Sequence, residues 1–224
     1  MQELKGSFVA LVTPMKSNGE IDFPALKELV EWHIESGTHG LVSVGTTGES
    51  ATLNFNDHVK VLEKTISYID NKIVAIAGTG ANSTDEAIEL NKAAISIGYE
   101  FALSVTPYYN KPNQLGLEAH YKKIADSSEI KNILYNVPSR TACDLEPETV
   151  NKLIHHENIV GIKEAVDHPK RYKALIKMAK NSSEPFYVLS GDDPTYFEFM
   201  KSGGDGVISV AANVIPAQVA EIAI

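Results

Sequence analysis

Lys163 lies within Ile159-Val160-Gly161-Ile162-Lys163-Glu164-Ala165, a short apolar run of strand character in which an ammonium group is costly to bury. Desolvation lowers an amine's pKa and leaves a nucleophile that can attack a carbonyl carbon and form a Schiff base. The same run also fits a lysine at a strand's end whose charge snorkels to water. Three upstream segments bear on that choice, because each follows or closes a strand-like run: Gly45-Thr46-Thr47-Gly48-Glu49, Tyr108-Tyr109-Asn110-Lys111-Pro112 and Tyr135-Asn136-Val137-Pro138-Ser139-Arg140-Thr141.

The elements that must position these residues recur along the chain. Runs rich in β-branched and apolar residues occupy Ser7 to Thr13, Gly40 to Val44, Ile73 to Ala77, Phe101 to Thr106, Asn132 to Val137, Ile159 to Ala165, Phe186 to Ser190 and Gly206 to Val210. They begin about 20 to 33 residues apart, the room a strand, a helix and their loops require. Between them lie helical stripes: Leu26, Leu29, Val30 and Ile34 before Gly37, and Ala87, Leu90, Ala94 and Ile97 before Gly98. Eight strands alternating with helices point to a parallel (β/α)8 TIM barrel. A doubly wound open sheet is the structural competitor, but no GxGxxG follows the first strand. In a barrel, all the segments above fall at the C-terminal ends of strands, where they share one mouth.

With 224 residues, the chain has the length of one such barrel, so residues 1–224 are expected to form a single domain. Hydrophobic residues at 43% and charged residues at 22% are ordinary for a globular protein and exclude the disordered and fibrous classes. A formal charge of −9 argues against nucleic acid or an anionic membrane as partner. An anionic substrate would then need local cations, for which Arg140 and Lys163 are the candidates. Cys143 is the only cysteine, which excludes an intrachain disulfide and a CxxC site and suits a reducing cytoplasm. The N-terminus does not read as a signal peptide, and no run approaches the length of a membrane span. After the eighth strand, Pro216 to Ile224 begins an apolar helix and stops. The barrel is therefore expected to be truncated after strand eight, with a tail that docks weakly or frays and an apolar surface near the first and eighth strands.

GTTGE, TPYYNKP, YNVPSRT and GIKEA, in this order and spacing, resemble the dihydrodipicolinate synthase family of pyruvate-dependent Schiff-base lyases, which includes N-acetylneuraminate lyase. The resemblance covers the whole chain. It implies that Lys163 condenses with pyruvate and that the resulting enamine attacks L-aspartate 4-semialdehyde, a step of lysine and diaminopimelate biosynthesis that needs no cofactor and no metal. It implies Tyr135 as acid/base in a relay with Thr46 and Tyr109, the last reaching in from a neighbouring subunit of a homotetramer. Thr47 and the main chain of Ile208 match pyruvate contacts, and Arg140 matches the group that holds the semialdehyde carboxylate. Taken singly these residues have plainer readings: threonine caps, strand tyrosines, a core isoleucine, a loop arginine. Arg140 with Thr46 and Thr47 favours the synthase over a sister aldolase acting on sialic acid or a 2-keto-3-deoxy sugar acid. Family members carry a further helical region after the barrel that is incomplete here, so an inactive fragment or interaction module is the reading from a different class.

Ser50, Ala51, His58, Asn82, Glu86 and Tyr108 match a lysine effector site of inhibited family members, although Phe55 stands where the sensitive type often has histidine. Ser83 to Glu86 also reads as a capping box. His155-His156 lacks the spacing of a metal site, and Asp192-Asp193 suits either a cation or the start of the next helix.

Overall fold

The computed structural model describes residues 2–223. In chain order it runs β1 Gly6–Ala10, α1 Phe23–Glu35, β2 Gly40–Ser43, α2 Phe55–Ile69, β3 Val74–Gly78, α3 Thr84–Ile97, β4 Phe101–Val105 and α4 Gln114–Ala125. It continues with β5 Lys131–Asn136, α5 Pro138–Thr141, α6 Pro147–Leu153, β6 Ile159–Glu164, α7 Pro169–Lys180, β7 Tyr187–Ser190, α8 Tyr196–Lys201, β8 Gly206–Ser209 and α9 Pro216–Ile222. The strands are all parallel and close in sequence order, β8 returning to β1 through pairs such as Ile208 with Phe8. This is the expected (β/α)8 barrel.

The helix starts follow local chemistry. Asp22, Asn54, Ser83 and Asn113 each accept a hydrogen bond from a first-turn amide of α1, α2, α3 and α4 respectively. Gly98 closes α3 at φ 110°, a left-handed conformation that costs glycine little. Six strands are one or two residues shorter than their apolar runs, and β3 and β5 keep the length of theirs but shift by one residue. β1 ends at Ala10 because beyond Leu11, whose amide still reaches the Val42 carbonyl, Thr13 turns its hydroxyl to the Gly48 carbonyl.

Side chains alternate between two cores. Phe8, Ile76, Phe101, Ile133, Leu189 and Ile208 fill the barrel interior, while Val9, Leu41, Leu134 and Val188 face the helices. β6 breaks the alternation. Its register against β5 jumps from Asn132–Ile159 to Ile133–Gly161, a bulge that leaves Val160 unpaired. Ile159 and Ile162 accordingly both pack outward, and Val160 packs inward. The tail expected to dock weakly or fray is seated: Val219 of α9 packs into the outer core, Ala220 beside it is buried, and the Tyr196 hydroxyl reaches the Val219 carbonyl. Val214, Ile215 and Ile222 nearby stay exposed. Cys143 is buried, its thiol donating to the Pro112 carbonyl.

Candidate active site

Tyr135 and Lys163 are paired neighbours on β5 and β6, and both project into the barrel. The Lys163 Nζ lies 4.3 Å from the centre of the Tyr135 ring. The lysine is only 4% exposed, which decides against the snorkelling alternative. Burial depresses its pKa to about 7; the Asp193 carboxylate opposes that shift and the Arg140 guanidinium adds to it. Burial pushes the Tyr135 phenol up, while the charge of Arg140 and the hydroxyl of Thr46 draw it back.

The loop that carries Thr46 and Thr47 leaves β2 through a strained residue. Val44 holds φ 53°, a conformation that a β-branched residue adopts rarely and that is concentrated at functional sites. Its carbonyl lies so close to Gly78 that a Cβ there would come within 2.2 Å of the oxygen. The turn is completed by the Glu49 amide donating to the Thr46 carbonyl at 3.1 Å. Thr46, Ser50, Tyr108, Val137 and Arg140 line a cavity of about 340 Å³ at this end of the barrel. Two of its walls, Val105 and Val137, flank Tyr135, Val105 as its strand partner on β4.

The other expected residues are not all in one place. Thr47 is half-buried in the same loop, and Arg140 projects from the short helix α5 rather than from an irregular loop. Ile208 is fully buried among the barrel side chains, so its plain reading as a core residue holds for the side chain. Tyr109 is 89% exposed, with φ 71°, and does not line the cavity.

Ser50, Ala51 and Tyr108 share the cavity, and the Tyr108 phenol is raised by burial and by the neighbouring Glu86, while hydrogen bonding at the Asn82 backbone lowers it. His58 is set apart in the core, with its Nε2 2.7 Å from the Gly78 carbonyl oxygen and its pKa lowered by burial. The Ser83 hydroxyl does cap Glu86, at 3.4 Å. Phe55 opens α2 and is 44% exposed. His156 pairs with Asp126 at 2.9 Å. Among the described residues, no group of three His, Cys, Asp or Glu side chains is arranged to hold a metal, and no helix is long and apolar enough to cross a membrane.

Two further residues belong to the site. A Cβ on Gly191 would lie 2.9 Å from Lys163 Cε, so only glycine leaves the lysine its room. Asp193 does not cap α8; it accepts hydrogen bonds from the Ser209 hydroxyl and from the amides of Val210 and Ala211, fixing the end of β8 beside Lys163. Asp192 instead accepts from the Thr195 hydroxyl. An acidic pair after a strand reads from sequence as a helix cap, and only the closure of the barrel turns Asp193 toward β8.

Residues 3–223 match the dihydrodipicolinate synthetase family. A 4-hydroxy-tetrahydrodipicolinate synthase of Pseudoalteromonas atlantica is 50% identical over 217 residues, which cover 97% of this chain and 73% of that protein. The namesake of Ruthia magnifica is 55% identical over 97% of this chain and 72% of its own length. Among solved structures, the chloride-inhibited dihydrodipicolinate synthase of Acinetobacter baumannii complexed with pyruvate superposes with a TM-score of 0.95 at 51% identity, covering 99% of this chain and 75% of that one. The enzyme of Cyanidioschyzon merolae with lysine bound gives 0.90 at 36% identity, covering 96% of this chain and 72% of that one. The barrel, its inward lysine and these relatives agree: the chain belongs to the dihydrodipicolinate synthetase family.

Proposed function

We propose that this chain is a pyruvate-dependent lyase that condenses pyruvate with L-aspartate 4-semialdehyde to 4-hydroxy-tetrahydrodipicolinate, in lysine and diaminopimelate biosynthesis. The observation that carries the reading is Lys163, buried inside the barrel against Tyr135 with its pKa brought down to about 7. An amine that is about half unprotonated near neutrality can add to the C2 carbonyl of pyruvate, and loss of water leaves the imine. Removal of a methyl proton gives the enamine, whose carbon attacks the aldehyde, and the new alkoxide takes up a proton. The substrate's own amine then closes the ring on C2 and releases Lys163.

Tyr135 is the group for these proton transfers, because its ring lies against the lysine Nζ and the Thr46 hydroxyl acts on its phenol, drawing the pKa back down. Thr47 and the main chain at Ile208 are assigned to the pyruvate carboxylate, and Arg140 to the carboxylate of the aldehyde, for which a guanidinium fork is suited. No step calls for a metal or cofactor, since the protonated imine is itself the electron sink. Tyr109 completes the relay in a neighbouring copy of a homo-oligomer, consistent with its exposure in a single chain.

Cyanoborohydride reduction with pyruvate, followed by peptide mapping, is expected to place a pyruvate-derived adduct on Lys163 and none on Lys163→Ala. An unmodified Lys163 in folded protein would sink the reading. Arg140→Ala is expected to keep the adduct and lose the condensation; indifference to it would favour a sister aldolase. L-Lysine is proposed as an effector at Ser50, Ala51, His58, Asn82, Glu86 and Tyr108. Titration calorimetry on the assembled protein tests it, and no heat of binding would remove that assignment.

A further inference from the structure

Glu164 and Asn136 follow Lys163 and Tyr135 by one residue and so face the other side of the sheet, between barrel and helices. Both are buried, and a carboxylate there needs partners. Arg171, in the first turn of α7, donates from Nε to Glu164 Oε2 at 2.7 Å. The rest of its guanidinium donates to Asp144 Oδ2 at 3.0 Å and to the Leu145 carbonyl, and forms an ion pair with Asp144 Oδ1 at 2.9 Å. Asn136 closes the cluster. Its Nδ2 donates to Glu164 Oε1 at 3.1 Å and to Asp144 Oδ1 at 2.9 Å, and its Oδ1 accepts from the Leu145 amide at 2.9 Å.

The chain leaves this cluster at Asn136, carries Arg140 on α5, and returns to it at Asp144 and Leu145. The segment bearing Arg140 is therefore tied at both ends to one cluster, and that cluster is fastened to the residue after Lys163. Stability alone is a poor reason for such an arrangement, because buried ion pairs are often replaceable by apolar residues without loss. Geometry is a better one, since a planar fork bridging two carboxylates fixes their separation.

We infer that Glu164, Arg171 and Asp144 are positioning residues that set the spacing between Lys163 and Arg140, and hence select an aldehyde substrate that carries its carboxylate at that distance. The inference rests on the proposed condensation. Arg171→Lys keeps a cation against Glu164 but cannot span both carboxylates, and Asp144→Asn weakens only the side toward α5. Each is expected to raise KM for L-aspartate 4-semialdehyde about tenfold, the scale of one misaligned charge-assisted hydrogen bond, while pyruvate trapping at Lys163 and the Tm stay near those of the unsubstituted protein. The double variant is expected to be little worse than either single one, because both break the same tie. An unchanged aldehyde KM in both folded variants overturns the inference, as does a parallel loss of trapping and aldehyde binding, which would mark general loosening. Should Arg171→Lys not fold, Asp144→Asn decides alone by the same readings. Absence of the pyruvate adduct in the unsubstituted protein would fail the proposed function first and remove the inference with it.

Discussion

At the residue scale, burying Lys163 costs stability and makes its amine easier to deprotonate. Its pKa falls from the ordinary 10.5 to about 7 through burial, so half of the amine is free near neutral pH. The rate of pyruvate trapping is expected to rise between about pH 6 and about pH 8 and then level off, with one apparent pKa near 7. A profile still climbing at pH 10 would mean that the amine is solvated. The sign of the stability effect follows from proton counts. Between about 7 and 10.5 the unfolded chain holds a proton on this lysine that the folded chain does not, so stability rises with pH across that window. Lys163→Met is therefore expected to be more stable than the native chain at and below neutrality, by something on the order of 5 kcal/mol, an advantage that fades as the pH approaches the ordinary lysine value. Denaturant unfolding at several pH values checks it. An ammonium in an apolar strand singled out Lys163 in the sequence, but it also fitted a snorkelling lysine, and only the neighbouring motifs favoured the buried position that the barrel shows. Gly191 and Asp193 were not legible there, because their roles arise from approach across the barrel: one by leaving room for Lys163 Cε, the other by holding β8.

At the scale of elements, the bulge in β6 decides whether that lysine is inside at all. Counting by two from Ile159, which packs outward, would put Lys163 outward as well. The extra residue at Val160 reverses the phase, and Lys163 meets Tyr135. Alternation in the sequence gives the strand but not this inversion, so the eight strands could be counted correctly while the facing of the chief residue could not be derived from period alone. Gly161 adjoins the bulge, and a Cβ on it would come within 2.7 Å of the Tyr187 carbonyl oxygen in β7. Gly161→Ala is expected to destabilise the protein by about 1–3 kcal/mol and to slow pyruvate trapping in the fraction that remains folded. Normal trapping kinetics in this variant would show that the local register does not govern the site. The Ser83 cap of α3 and its glycine end were readable because they depend on residues within a few positions of one another.

At the scale of the whole molecule, closure brings together parts distant in sequence: the Asn213 side chain donates to the Ala10 carbonyl and accepts from the Val12 amide, across some two hundred residues. The formal charge of −9 surrounds a site whose assigned cations are Arg140 and Lys163, so capture of anions is a local matter within an opposing field. Local opening need not follow global unfolding, and the segment between Asn136 and Leu145 can be followed by itself. It contains Cys143, the only thiol in the chain, 6% exposed and held to the Pro112 carbonyl. A thiol reagent can reach it only when the segment lifts, so the labelling rate in native protein is a built-in clock for the movement of Arg140. Saturating L-aspartate 4-semialdehyde analogue is expected to slow that clock several-fold, and an unchanged rate would mean that the segment's motion and its ligand are uncoupled.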